Sequence, residues 1–109
     1  MAVRRGDLVT LVLPGSLCKP RPALVVQSDL FDAHPSVTVL PVTSELRAAP
    51  LFRVRVEPSE VNGLRRSSEI MVDKAHTVAR EKIGQKVGQL EAETMVAVNR
   101  ALAVLVGFA

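Results

Sequence analysis

Residues 19–26 read Lys-Pro-Arg-Pro-Ala-Leu-Val-Val, and the reading of this stretch decides the fold. Ala23-Leu24-Val25-Val26 is a short, wholly apolar run, the composition of a strand buried on both faces in the middle of a sheet. The two prolines stiffen what precedes it. Pro20 fixes its own φ, and Pro22 drives Arg21 away from helix toward extended geometry. Arg21 therefore stands on a rigid backbone immediately before a buried strand. A guanidinium held this way loses less entropy when it clamps a phosphate, and its planar fork matches two phosphate oxygens. The other reading is that the prolines only start the strand and Arg21 is a surface charge.

The flanking segments extend the pattern. Residues 8–13 (LVTLVL) are a β-rich run closed by Pro14-Gly15, a strand and a turn. Residues 29–35 are a polar loop. Residues 37–43 (VTVLPVT) are strand-like around Pro41, which has no N–H and is expected at a bulge or an edge. Residues 52–57 alternate, with Phe52, Val54 and Val56 expected inward and Arg53, Arg55 and Glu57 outward. Residues 58–66, with Asn62-Gly63, form a turn-rich connection, and residues 69–72 and 75–79 read as further short strands. Residues 91–106 differ. Their alanines, Met95 and Leu102 favour helix, Glu91 and Glu93 suit the positive end of its dipole, and Gly107 suits its C-terminal stop. Several strands followed by one helix predict a mostly β (α+β) fold: a small twisted antiparallel sheet, an SH3-like barrel with a C-terminal helix packed on it. The helix is apolar over more than one stripe. Either it is wedged between sheet and loops, or part of it faces a second subunit.

Composition narrows the function. A chain of 109 residues, 48% of them hydrophobic, suits one domain over residues 1–109 with a real core. Three Phe and no Trp or Tyr exclude a Trp-anchored sandwich and argue against a wall of stacked bases. The net charge is +3, with six basic and four acidic residues in 1–53 and eight and seven in 54–109. No basic tail exists, so polyanion binding must come from a cluster assembled by the fold. One cysteine, Cys18, and two histidines offer neither a disulfide nor zinc-ligand spacing. No leader pattern opens the chain, and the longest apolar stretch, residues 101–106, is too short to span a bilayer. A soluble cytoplasmic protein is expected, with a reduced thiol, no metal or other cofactor and no membrane partner.

Five pieces of sequence, in order, carry a resemblance. They are Arg5-Gly6-Asp7 before an apolar strand; residues 19–26; Val39-Leu40-Pro41-Val42-Thr43-Ser44; Gly63-Leu64, Ser68, Asp73-Lys74-Ala75 and Thr77-Val78; and Gly88-Gln89-Leu90 with Met95, Val98 and Ala101-Leu102. Over nearly the whole chain this resembles the MazF/PemK family of toxin endoribonucleases from toxin–antitoxin pairs. The resemblance implies a CcdB/MazF-like barrel working as a homodimer. It implies the toxin component of a type II system, cutting single-stranded RNA (mRNA, tRNA or rRNA) sequence-selectively and without a metal. The cognate antitoxin would be an acidic, partly disordered chain. By motif match the catalytic pair is Arg21 and Thr43. The loop between Pro14 and Lys19, which gates the site in the resemblance, is short here. Two alternatives remain: a CcdB-like DNA gyrase poison, disfavoured because residues 106–109 contain no Trp, and an inactive member that only binds its antitoxin and DNA.

The implied chemistry is sound. RNA carries its own nucleophile, the 2′-OH beside the scissile phosphorus, so catalysis is mostly positioning and charge stabilisation. Arg21 suits a clamp or an acid, since a pKa above about 12 speaks against a base. The products are a 2′,3′-cyclic phosphate and a 5′-hydroxyl. Lys19, Ser44 and Phe31 are candidate RNA-binding residues. Lys19 lies two residues before Arg21, on the same side of an extended segment; Ser44 follows Thr43 and could instead form a turn; Phe31, in a polar loop, could stack on a base. Gln27, Ser28 and Asp29 read as a structural turn, Arg53 and Arg55 as a solvated face rather than an RNA groove, and Arg65-Arg66 as a phosphate patch or plain surface. His34 and His76 match no motif and take no role, and Cys18 reads as a bystander.

Overall fold

The structure, a computed structural model, describes residues 2–13 and 19–109. The turn at Pro14-Gly15, the loop between Pro14 and Lys19 and Cys18 lie outside the described residues. Three antiparallel strands form the centre: β1 (Asp7–Leu11), β2 (Arg21–Val25) and β3 (Ser36–Thr43). Leu8 pairs with Leu24, and Leu24 with Leu40. These three leucines face one core with Ile70 and Val98, while Val9, Ala23, Val25 and Val39 face a second core on the other side. The unbroken apolar run of β2 has this physical origin: both of its faces are covered.

β4 (Arg53–Val56), β5 (Ser68–Met71), β6 (His76–Ala79) and β7 (Lys86–Gln89) complete the sheet in the order β4-β5-β3-β2-β1-β7, with β6 also on β3. The sheet curls until the Gln89 N–H donates to the Val61 carbonyl at 3.0 Å, so β7 meets the turn that follows β4. The result is a half-barrel closed on one side by α1 (Ala92–Val106). Pro41 is not on an edge strand. It sits in β3, opposite Ala23, where the other edge changes partner: β6 takes Ser36 to Val39, and β5 takes Val42 and Thr43. The missing N–H falls at the changeover. The bulge of the sheet lies instead between Leu8 and Val9, in the β1–β7 ladder.

β7 has no counterpart in the sequence reading, because Lys-Val-Gly-Gln shows neither alternation nor an apolar run. It pairs with β1 on one edge and meets the turn at Asn62-Gly63 on the other. A Cβ on Gly88 would lie 2.4 Å from the Asn62 carbonyl oxygen, and one on Gly63 (φ +69) 2.2 Å from that of Val87. Asn62 is fully buried, at 0% exposure, with its side chain bonded throughout. Its Oδ1 accepts from the N–H groups of Ser59 and Leu64 at 3.0 Å, and its Nδ2 donates to the Glu57 carbonyl at 2.9 Å and to Glu91 Oε1 at 3.2 Å. Ser59 Oγ donates to the other Glu91 oxygen at 2.5 Å. Glu91 thus ties the start of α1 to this turn.

α1 buries Val98, with Met95, Ala101 and Leu102 against the same core. Gly107 (φ +90) ends it, with the Phe108 N–H donating to the Ala103 carbonyl at 2.7 Å. Val96, Val104, Leu105 and Val106 remain exposed. The helix is therefore not wedged on all sides, and its surplus apolar face is left uncovered by this chain. Phe52 also departs from expectation. It precedes β4 and is 38% exposed, whereas Val56 is buried and the Arg53 side chain turns inward.

Gly63→Ala is expected to destabilise the protein by about 2–4 kcal/mol, because it combines a left-handed φ with a backbone clash; denaturant unfolding measures it.

Candidate active site

The β2–β3 register pairs Val25 with Val39, Leu24 with Leu40 and Ala23 with Pro41. Continued by two residues, it sets Arg21 opposite Thr43, and directly opposed residues share a face. On β1, Leu11 pairs with Arg21. Arg21 and Thr43 therefore stand together where the second core runs out to the surface. Thr43 Oγ1 accepts the Glu45 N–H at 3.0 Å, a local turn of the Ser/Thr type. Its own proton stays available for another acceptor. Among the described residues none forms an ion pair with Arg21, so its guanidinium is open to an anion.

Two adjoining cavities, of about 640 and 420 Å³, share Arg21, Val42 and Ser44 and form one groove. The larger adds Arg65, Arg66 and Lys86; the smaller adds Thr43, Glu45, Lys74 and His76. Five cations thus face one carboxylate, Glu45. This is the local cluster that a net charge of +3 left to the fold to assemble. Lys86 also reaches buried Asp7 at 3.3 Å.

Of the residues singled out in the sequence, Arg21, Thr43 and Ser44 line this groove together. Arg65 and Arg66 join them. Lys19 is exposed and lines neither cavity. Phe31 is 54% exposed on the 3₁₀ turn Asp29–Phe31 and lines neither. Gln27 is structural, as expected: its Nε2 donates to the Ser36 carbonyl at 2.8 Å and its Oε1 accepts the Thr38 N–H at 3.2 Å. His34 bonds locally, its Nδ1 accepting the Ser36 N–H at 3.2 Å. His76 comes into the groove without a motif to announce it, brought there by its pairing with Val39, a tertiary fact. Lys74, from the Asp73-Lys74-Ala75 piece, ends the 3₁₀ turn Val72–Lys74 just before it.

Arg53 and Arg55 do not form one solvated face. Arg53 Nη1 meets Glu69 Oε1 at 2.8 Å, with both side chains 8% exposed. Glu69 Oε1 also accepts the Arg47 N–H at 2.9 Å. That backbone bond first, and the Arg53 guanidinium second, hold the Glu69 carboxyl below the ordinary 4.5. Arg55 is exposed and pairs with Glu57 at 3.0 Å. The hydroxyls of Ser67 and Ser59 likewise lower Glu57 and Glu91. Among the described residues, no three His, Cys, Asp or Glu side chains gather as a metal-holding group, and no helix is long and apolar enough to cross a membrane.

A curled antiparallel half-barrel with one C-terminal helix, and a cationic groove at the end of its second and third strands, defines a class of small toxin. Residues 4–106 match the family described as PemK-like, MazF-like toxin of type II toxin-antitoxin system, and the chain belongs to that family. It is 45% identical over 108 residues to the probable endoribonuclease MazF of Mycolicibacterium smegmatis, covering 98% of this chain and 99% of that one. It is 28% identical over 108 residues to endoribonuclease EndoA of Bacillus subtilis, covering 94% and 92%. Among solved structures it is similar to a mycobacterial endoribonuclease in complex with its cognate antitoxin, with a TM-score of 0.84 and 25% identity over 99% of this chain and 98% of that one. It is also similar to Mycobacterium tuberculosis toxin MazF-mt6, with a TM-score of 0.79 and 26% identity over 93% and 96%.

Glu57, Glu69 and Glu91 all titrate below 4.5 when folded, so the unfolded chain binds more protons in acid. Their stabilisation is complete above the unfolded value of about 4.5 and is lost as pH falls through the folded values. Urea unfolding across that window is expected to show stability dropping steeply below about pH 4.5. Ser59→Ala, which removes the largest cause at Glu91, is expected to flatten the drop.

Proposed function

We propose that this toxin is an endoribonuclease that cuts single-stranded RNA through Arg21 and Thr43, with residues 1–109 acting as one domain. The observation that carries the reading is the β2–β3 register, whose continuation sets these two residues opposite each other in a groove where the cations outnumber the carboxylates. The reaction needs no external nucleophile. The 2′-oxygen gives its proton to water and bonds to phosphorus, the bond from phosphorus to the 5′-oxygen breaks, and that oxygen takes a proton from water and leaves as a 5′-hydroxyl. A 2′,3′-cyclic phosphate remains. Arg21 holds the non-bridging oxygens as charge builds on the phosphorane, and the Thr43 hydroxyl donates to the same phosphate. Neither role calls for a metal.

Arg65, Arg66 and Lys86, in the larger cavity, suit flanking phosphates of the same strand, with Ser44 between the two sites. Lys19 extends the cationic approach beside Arg21, and Phe31 offers an exposed ring to a base further along the strand. A similar endoribonuclease is known with its cognate antitoxin, and an acidic antitoxin segment would fill this groove by the same charge logic. The uncovered apolar face of α1, with Val104, Leu105 and Val106, supports a homodimer. The proteins of this system act in the cytoplasm on this reading.

Incubation of the pure protein with single-stranded RNA in excess EDTA tests the proposal. Cleavage is expected to survive the chelator, leave 5′-hydroxyl ends and fall by about 10²–10³-fold in Arg21→Ala. A pure, folded protein that cuts no RNA overturns it. Thr43→Val is expected to lower the rate while RNA affinity stays within about threefold; normal turnover in that variant removes Thr43 from the site.

A further inference from the structure

We propose that the buried Arg53–Glu69 pair is a positioning device for the Thr43 hydroxyl, an inference that rests on the catalytic reading of Thr43 above. The contacts run without a break. Thr43 pairs with Glu69 across β3 and β5. Glu69 Oε1 accepts from Arg53 Nη1 at 2.8 Å and from the Arg47 N–H at 2.9 Å. The same Arg53 Nη1 donates to the Glu45 carbonyl at 2.9 Å. The Glu45 N–H in turn donates to Thr43 Oγ1 at 3.0 Å. Both polar groups of the Glu45 main chain are thereby committed, one to the guanidinium and one to the hydroxyl.

The segment after Thr43 needs such an anchor. Residues 44–52 belong to no strand, and the backbone bonds from Ala49, Phe52 and Arg53 run to Arg47 and Ala49, inside the loop itself. The ion pair joins this loop to β5. A buried ion pair adds little stability over an apolar pair of the same volume, so its contribution is geometric. The guanidinium holds its nitrogens in a fixed plane, and here one of them, Nη1, serves a carboxylate and a carbonyl together. The hydroxyl it fixes has one accepted bond, which limits its rotation and leaves its proton for the groove. Catalysis by positioning is sensitive to this, since a displacement of about 1 Å can cost about 10²-fold in rate.

The test is the paired variant Arg53→Met/Glu69→Leu. It removes both charges together, because removing one strands the other in a buried site. With the fold checked by circular dichroism, kcat is expected to fall by about 10–100-fold. KM and the affinity for an uncleavable 2′-deoxy analogue are expected to stay unchanged. In a Thr43→Val background the same pair of substitutions should have almost no further effect on kcat, as for residues acting through one group. The Glu45 and Arg47 amides should exchange hydrogen faster in the paired variant than in the wild type. Should the paired variant not fold, Arg53→Lys keeps the charge but its shorter stem carries no donor to the Nη1 position between carboxylate and carbonyl, and the same split between kcat and KM is expected at smaller size. Unchanged kcat in a folded variant, a full loss that persists in Thr43→Val, or unaltered amide protection overturns the proposal. A wild-type protein that cuts no RNA overturns the functional reading and the catalytic role with it; amide exchange decides separately whether the pair holds the loop.

Discussion

β3 pairs on both edges, and its eight residues serve three partner strands. β2 takes one edge, while β6 and then β5 share the other. The changeover falls at Leu40-Pro41, where proline has no N–H to lose. The changeover divides that edge of β3 between two ladders, one in each half of the sheet. Upstream of it β3 lies under β6 and seals the second core. Downstream it delivers Thr43 to the surface beside Arg21. The missing hydrogen bond, a defect in a flat sheet, lets one strand serve the core and the groove in turn.

The stiffness of Lys19-Pro20-Arg21-Pro22 complements this. Two prolines limit the backbone of Arg21, and burial of Leu24 and Val25 immediately after it pins the strand from the other side. Arg21 is thus preorganised from the backbone outward, while Thr43 is preorganised by a side-chain network reaching it through Glu45. The two residues stand opposite each other but are held by independent means. On the proposed mechanism, a phosphate bridging them would meet one rigid cation and one oriented hydroxyl, the arrangement that lowers the reorganisation needed as charge develops.

The centre of the fold was legible in the sequence because its signals are local. An apolar run flanked by prolines, a strand ending in Thr-Ser and an alanine-rich helix with a glycine stop each depend on neighbours within a few residues. What was not legible depends on distant partners. Phe52 and Arg53 follow a regular alternation, yet Arg53 turns inward because Glu69, sixteen residues away, offers it a charge-assisted bond. β7 carries no strand signal of its own. It exists because β1 leaves an edge open and because Gly63 and Gly88 let the Asn62 turn approach the backbone. His76 enters the groove through the β3–β6 register, which no spacing along the chain encodes.

The scarcity of aromatic residues takes a different meaning once the groove is built. Reading RNA by an extended stacking platform needs several exposed rings on one surface, and this chain has three Phe in all, none of which lines the groove. What the groove has instead is fixed charge: Arg21, Arg65, Arg66, Lys74 and Lys86 around a single carboxylate. Such a site holds the backbone of a strand more firmly than its bases. On the proposed function, discrimination between sequences would then come from hydrogen bonds to base edges by groups beside the phosphates, and Ser44, Gln85 and His76 line the groove there. Those bonds form only if the strand is already held in register, so the cations, which read no sequence, set the conditions under which sequence can be read.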